Sequence, residues 1–191
     1  MSYYCFIRMV KPNIIVEIGS GFSTLVAIEA VKRNGFGSIS CIEPFPRPFL
    51  KENTFISLDE RAAQDISSVE LNDLLHDNDI LFIDSTHTVK SGSDCLHIYL
   101  RLLPKITSDI YIHAHDVYLP YGLPRDWLLE RQVFWTEQYL LMAFLLDNPK
   151  TTVLFGSAYN SAVNQEKARA LMGGKWGIGG GSLWFKYRGS G

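Results

Sequence analysis

Several things are scarce or missing in this sequence, and each absence narrows the choices. None of its 191 residues fall in an apolar run of the roughly 18 that a membrane helix needs. The longest candidate, Tyr139 to Leu146, has the length of a core helix. There are three cysteines, Cys5, Cys41 and Cys95, far apart, odd in number and without a Cys-x-x-Cys pair. That argues against a disulfide framework or a thiolate zinc site and suits a reducing compartment. Neither sign of charge is in surplus: 18 basic and 20 acidic residues leave a formal net charge of −2. No basic excess advertises nucleic acid or an anionic membrane as a partner. The first ten residues carry Arg8 and no small-residue cleavage site, so they do not read as a signal peptide. The expectation is a cytoplasmic protein that meets a small molecule.

What is present is ordinary for a globular chain: 47% hydrophobic and 20% charged residues. The length suits one domain, 1–191, with a short N-terminal extension at 1–13 and a glycine-rich loop at 173–181. Strand-like and helix-like segments alternate, which predicts an α/β fold with a mostly parallel sheet. Strands are expected at 14–18, 38–42, 55–58, 79–84, 109–115, 151–155 and 182–187. Helices are expected near 23–33, 69–76, 91–103, 128–146 and 161–172. The run 128–146 reads as one long helix with an aromatic stripe that includes Trp127, Phe134, Trp135, Tyr139 and Phe144.

One stretch is more informative than the rest. Ile14-Ile-Val-Glu-Ile-Gly-Ser-Gly-Phe-Ser-Thr24 reads as a strand, a tight glycine turn and a helix start. Such a turn lets a ligand approach bare backbone, and the helix start offers free N–H groups. Glu17 precedes the first glycine by two residues, and Thr24 stands where Gly-x-Gly-x-x-Gly would place its third glycine. The missing glycine disfavours a nicotinamide dinucleotide, and the extra carboxylate favours a ligand that carries positive charge. Glu43, at the end of the next strand, is placed to accept bonds from both hydroxyls of a ribose. S-adenosylmethionine has both a ribose and a cationic amino acid end.

Chemistry-bearing residues collect at other strand ends too. The fourth strand ends in Asp84-Ser-Thr-His87 and the fifth in His115-Asp116. Neighbouring strands would bring these together. Asp84, His115 and Asp116 form a candidate set for a hard cation such as Mg2+. Asp84 and His87 are candidate catalytic residues, with His87 as general base. His113 reads as a core histidine, and His76 and His97 have no evident partner.

The motifs Glu17-Ile-Gly-Ser-Gly-Phe-Ser-Thr24, Phe82-Ile-Asp-Ser-Thr-His87 and His115-Asp116 resemble those of class I S-adenosylmethionine-dependent methyltransferases, within them methyltransferase family 24. The resemblance spans about 14–146. It implies a Rossmann-like fold: a seven-stranded, mostly parallel sheet with a reversed last strand and helices on both faces. It also implies cofactor contacts at Glu17, Gly19, Ser20, Gly21, Thr24, Glu43, Asp65 and Asp84. Asp-x-x-His also occurs in metal-dependent sugar O-methyltransferases, where an acid pair replaces His115-Asp116. The leading expectation is O-methylation of a small hydroxylated acceptor, of sugar or natural-product type. A non-catalytic adenosylmethionine-binding module and an NAD-dependent oxidoreductase are the alternatives. The shortness of the segment before the first strand leaves room for a second copy of the chain to cover that end as a homodimer.

Overall fold

Seven strands lie in the order β3-β2-β1-β4-β5-β7-β6. The computed structural model describes residues 1–175 and 177–190; Trp176, inside the expected 173–181 loop, and Gly191 lie outside the described residues. The strands are β1 (Ile14–Ile18), β2 (Ser38–Ile42), β3 (Ser57–Asp59), β4 (Ile80–Ile83), β5 (Ile110–His115), β6 (Thr151–Gly156) and β7 (Ser182–Tyr187). The first five pair in parallel, and β7 runs antiparallel to both β5 and β6. This is the expected sheet with its reversed last strand.

Each central strand is apolar on both faces, as a covered parallel sheet requires. One face presents Val16, Ile18, Leu81, Ile83, Ile112 and Ala114 to a large core that includes Tyr99 and Leu141. The other presents Ile15, Ile39, Ile80, Phe82 and Trp184 to helices α1 (Ser2–Val10) and α2 (Phe22–Asn34). Register on this second face places Cys41, Glu17, Phe82, His113 and Trp184 in one row across five strands. Two polar groups thus sit inside a buried row, and burial without partners would cost each of them free energy. Their partners come from elsewhere, as described below.

Most of the expected 1–13 extension is α1. Its buried residues Tyr3 and Ile7 dock on the sheet, with the Tyr3 ring stacked on Phe82 at 4.6 Å and Phe6 on Trp184 at 4.0 Å. Helix α2 is capped by Gly21, whose N–H bonds to the Thr24 hydroxyl, and is closed by Gly35 in the left-handed conformation that favours glycine. Asp79 anchors the opposite end of the sheet. Its buried carboxylate accepts the N–H groups of Asn13, Ile14 and His76.

Helices α3 (Pro48–Lys51) and α4 (Ser68–Leu74) precede β3 and β4, and three later helices differ from expectation. The segment expected at 91–103 is helical from Asp94 (α5, Asp94–His97) and passes through a π turn at Ile98–Leu102 to Lys105. The helix expected over 161–172 is two, α8 (Ser157–Val163) and α9 (Gln165–Leu171), and so is the long one expected over 128–146: α6 (Arg125–Leu129) and α7 (Glu137–Leu145). Between them Gln132 has a φ of +54°, and the N–H groups of Thr136 and Glu137 bond to the His87 carbonyl. Tertiary bonds to the β4 loop override the local helical pattern here. No helix among the described residues is long and apolar enough to cross a membrane.

Candidate active site

The strand order reverses direction between β1 and β4. In open α/β sheets this is where a crevice forms beyond the carboxyl ends of the strands. Gly19 and Asp84 meet at this point. Gly19 has a φ of +85°, and a Cβ there would lie 1.9 Å from the Asp84 carbonyl oxygen. Only glycine fits such an approach. A Cβ on Gly21 would meet nothing within 4 Å, so the backbone at the start of α2 faces open space. The Glu43 carboxylate ties the turn to β2, accepting the Ser20 N–H at 3.1 Å and the Phe45 N–H at 2.8 Å.

This cradle fits an adenosyl ligand in its donor chemistry. Bare backbone flanks the turn, and Glu43 is half-buried with lone pairs to spare after two N–H bonds. Asp65 lies exposed in a single 3-10 turn at Ala63–Asp65, beyond the end of β3.

Glu17 and Thr24 are not presented to this crevice. Both are fully buried. Tyr3 donates to one Glu17 oxygen at 2.7 Å; Thr24 donates to the other at 2.5 Å. The Cys41 thiol lies 3.6 Å from that second oxygen. Burial pushes the Glu17 carboxyl above its ordinary pKa, opposed by the bonds from Thr24 and Tyr3. The Thr24 hydroxyl oxygen also accepts the Gly21 N–H at 3.2 Å. The two residues form a chain of bonds that runs from α1 through Glu17 and Thr24 into the glycine turn.

Asp84, His87, His115 and Asp116 do come together. The His87 Nε2 lies 3.3 Å from an Asp84 oxygen, and the His115 Nδ1 lies 3.5 Å from oxygens of both Asp84 and Asp116. Burial raises the Asp84 carboxyl, but His115 and His87 outweigh it and hold it well below the usual range. Burial also raises Asp116, and there the two imidazoles only partly oppose it.

His87 is 6% exposed, with both ring nitrogens engaged. Its Nδ1 is 2.6 Å from Glu137, and its ring tilts against Trp135 at 4.2 Å. Burial lowers its pKa, but Asp84 and Glu137 outweigh that and lift it to about 9. Glu137, at the start of α7, also accepts from Ser85 at 2.8 Å and Tyr99 at 2.7 Å. Asp94 holds the same loop by accepting both the N–H and the hydroxyl of Thr86. Sequence reasoning missed Glu137. Its signal was the dipeptide Thr136-Glu137, a helix-start pattern inside an aromatic run.

Mg2+ does not fit this set as it stands. Imidazoles with raised pKa values already sit against the Asp84 and Asp116 carboxylates. Among the described residues no group of three or more His, Cys, Asp or Glu side chains is placed to hold a metal ion. The expected ligands Asp84, His115 and Asp116 come together with the His115 imidazole 3.5 Å from both carboxylates.

His115 and Asp116 line a cavity of about 600 Å³. The His115 side chain is 38% exposed, and its Nδ1, though 3.5 Å from carboxylate oxygens of Asp84 and Asp116, makes no hydrogen bond among the described residues. The cavity continues past His113, whose Nε2 is 2.6 Å from the Ser182 hydroxyl. Burial, then the charge of His115, lowers the His113 pKa far below the ordinary value and keeps that ring neutral.

Comparison with known proteins agrees with this geometry. The sequence model of methyltransferase family 24, described as a methyltransferase domain, matches residues 16–117, more than half of the chain. An uncharacterized protein of Archaeoglobus fulgidus is 39% identical over 75 residues. That match covers 38% of this chain and only 34% of the relative. A candidate O-methyltransferase from Klebsiella pneumoniae superposes with a TM-score of 0.57 at 14% identity, over 99% of this chain and 79% of that one. The plantazolicin methyltransferase BpumL, solved with S-adenosylhomocysteine, gives 0.57 at 13% identity, over 98% and 82% of the two chains. An O-methyltransferase from Bacillus cereus, also solved with S-adenosylhomocysteine, gives 0.55 at 12%, over 98% and 79%. At such identities these structures share the fold. Taken with the family match, the chain belongs to methyltransferase family 24, among the class I S-adenosylmethionine-dependent methyltransferases.

Proposed function

We propose that this chain transfers a methyl group from S-adenosylmethionine to a hydroxyl of a small acceptor. The observation that carries the reading is the adjacency of the Gly19–Asp84 crevice to a cavity bordered by His115 and Asp116. Bound adenosylmethionine supplies a methyl group on a positively charged sulfur. The chain supplies the rest. The backbone of Gly19, Ser20 and Gly21 receives the methionine end, Glu43 the ribose hydroxyls, and Asp65 the adenine amino group. Glu17 and Thr24 act behind the turn by fixing its shape.

Asp84 is the hinge between the two halves of the site. Its backbone closes on Gly19, and its carboxylate pairs with His115. In this reading His115, rather than the enclosed His87, takes the acceptor proton at Nε2. Asp84 and Asp116 raise its pKa against the opposing pull of burial. A cationic ligand alongside lowers an imidazole pKa, which brings His115 back toward the range of a general base. His87 and Glu137 hold the loop that carries Asp84. Methyl transfer to oxygen then needs chiefly alignment of the acceptor and exclusion of water.

The Bacillus cereus O-methyltransferase supports the choice of oxygen as acceptor atom by analogy of fold. The test is label transfer from methyl-labelled adenosylmethionine to a panel of hydroxylated small molecules. Transfer that depends on His115 supports the reading. Cofactor binding without transfer to any acceptor would reduce the chain to a binding module.

A further inference from the structure

The cavity beside His115 constrains the acceptor. Its volume of about 600 Å³ lies within the range of small-molecule sites. Its lining includes the rings of Phe22, Phe82 and Tyr118, with Phe82 6.0 Å from the His115 ring, and Leu171 and Ile178 add to the apolar surface. A sugar presents hydroxyls in every direction, and those buried against the rings would lose a bond to water without replacement; the lining hydroxyls of Ser157, Ser161 and Ser182 are already bonded within the chain. A flat apolar body loses nothing there and gains contact with the rings.

At the outer end the lining changes. Helices α8 (Ser157–Val163) and α9 (Gln165–Leu171) turn Asn160, Asn164 and Lys167 toward the cavity. Each amide already holds a bond within the chain: Asn164 donates to Asn160, which donates to the Gly156 carbonyl. Among the described residues, no carboxylate lies within ion-pair distance of Lys167. The cavity thus carries His115 and Asp116, aromatic and aliphatic walls, and Lys167, which is unpaired among the described residues.

We propose that the acceptor is a hydroxylated aromatic acid, with its hydroxyl at His115, its ring between Phe22 and Tyr118, and its anionic group at Lys167. This rests on the methyltransferase reading above and narrows its substrate. Carboxylate and phosphate monoester share the required charge, and both belong in the test.

The experiment uses the intact chain saturated with S-adenosylhomocysteine and measures binding by calorimetry. The probes are 4-hydroxycinnamate, its uncharged amide, 4-hydroxyphenyl phosphate and methyl glucoside. An exposed ion pair is worth up to about 1 kcal/mol, or about fivefold in affinity. The acid or the phosphate should bind about fivefold more tightly than the amide, and the glucoside most weakly. Which of the two anions binds better identifies the anionic group. Lys167→Gln, at an exposed position, should erase the preference for charge and leave adenosylhomocysteine affinity unchanged. Equal binding of acid and amide in the native chain would overturn the proposal, as would tighter binding of the glucoside or a preference that survives Lys167→Gln. Failure of the anions to bind a chain that does bind adenosylhomocysteine would overturn it and leave the methyltransferase reading intact. Failure of adenosylhomocysteine itself to bind would remove both.

Discussion

The Thr24 hydroxyl donates to the buried Glu17 carboxylate at 2.5 Å and accepts the Gly21 N–H at 3.2 Å. One small side chain therefore couples a strand carboxylate to the glycine turn. Thr24→Val keeps the shape and deletes both bonds, leaving a buried carboxylate short of a donor. An unsatisfied buried group of this kind costs about 1–3 kcal/mol. Urea unfolding should show a loss of that size, and Thr24→Ser should restore most of it. Adenosylhomocysteine affinity should fall in the Val variant, because the turn loses its fixed shape.

Gly19→Ala should be far more damaging than its size suggests. The added carbon would overlap the Asp84 carbonyl, which is backbone and cannot step aside, at a left-handed φ that costs a side chain about 1–2 kcal/mol by itself. A drop in stability above about 2 kcal/mol is expected by denaturant titration. Any folded fraction should lose cofactor binding. A folded variant with native affinity would mean that the turn is not where the ligand lies.

His115→Asn should lower the methyl-transfer rate by about 10²–10⁴, the usual worth of a positioned general base. Adenosylhomocysteine binding should not change, since the residue borders the acceptor cavity. Single-turnover measurements separate these effects. An unaffected rate would return the proton transfer to another group.

The His87–Glu137 contact makes a prediction about pH. The folded pKa of His87, about 9, lies above the ordinary 6.5 of an unfolded histidine. A raised folded value means that the protonated form is the one folding favours. Its contribution is fully present below pH 6.5 and is lost as pH rises through about 9. The melting temperature should decline over that window. In Glu137→Gln the alkaline decline should be shallower, from a lower starting point.

Much of the architecture was legible because its signals are local. Apolar runs, the glycine turn and the charged residues at strand ends mark β1, β2, β4 and β5 within a residue or two. The resemblance carried the reversed β7. Three features were hidden because their partners are distant in sequence. Glu17 was legible as an unusual carboxylate, but its burial under Tyr3 depends on a helix without a recognisable cap. Glu137 sits in an apolar run, and only the fold brings it to His87, 50 residues away. The break between α6 and α7 follows from the Thr136 and Glu137 N–H bonds to the His87 carbonyl, which no helical period records.

The ion-paired state of Asp84 and Asp116 also bears on metal. Saturating Mg2+ should leave the melting temperature of the adenosylhomocysteine complex unchanged, since a ligand of the native state would raise it. A rise that Asp116→Ala abolishes would show that the carboxylates release their imidazoles to a cation.

The most direct test of the account is calorimetric titration of adenosylhomocysteine into the native chain and into Glu43→Gln. The account predicts one site per chain, with affinity reduced by about 10- to 100-fold in the variant, the worth of hydrogen bonds to a charged acceptor. No binding to the native chain, or equal binding to both, would contradict it.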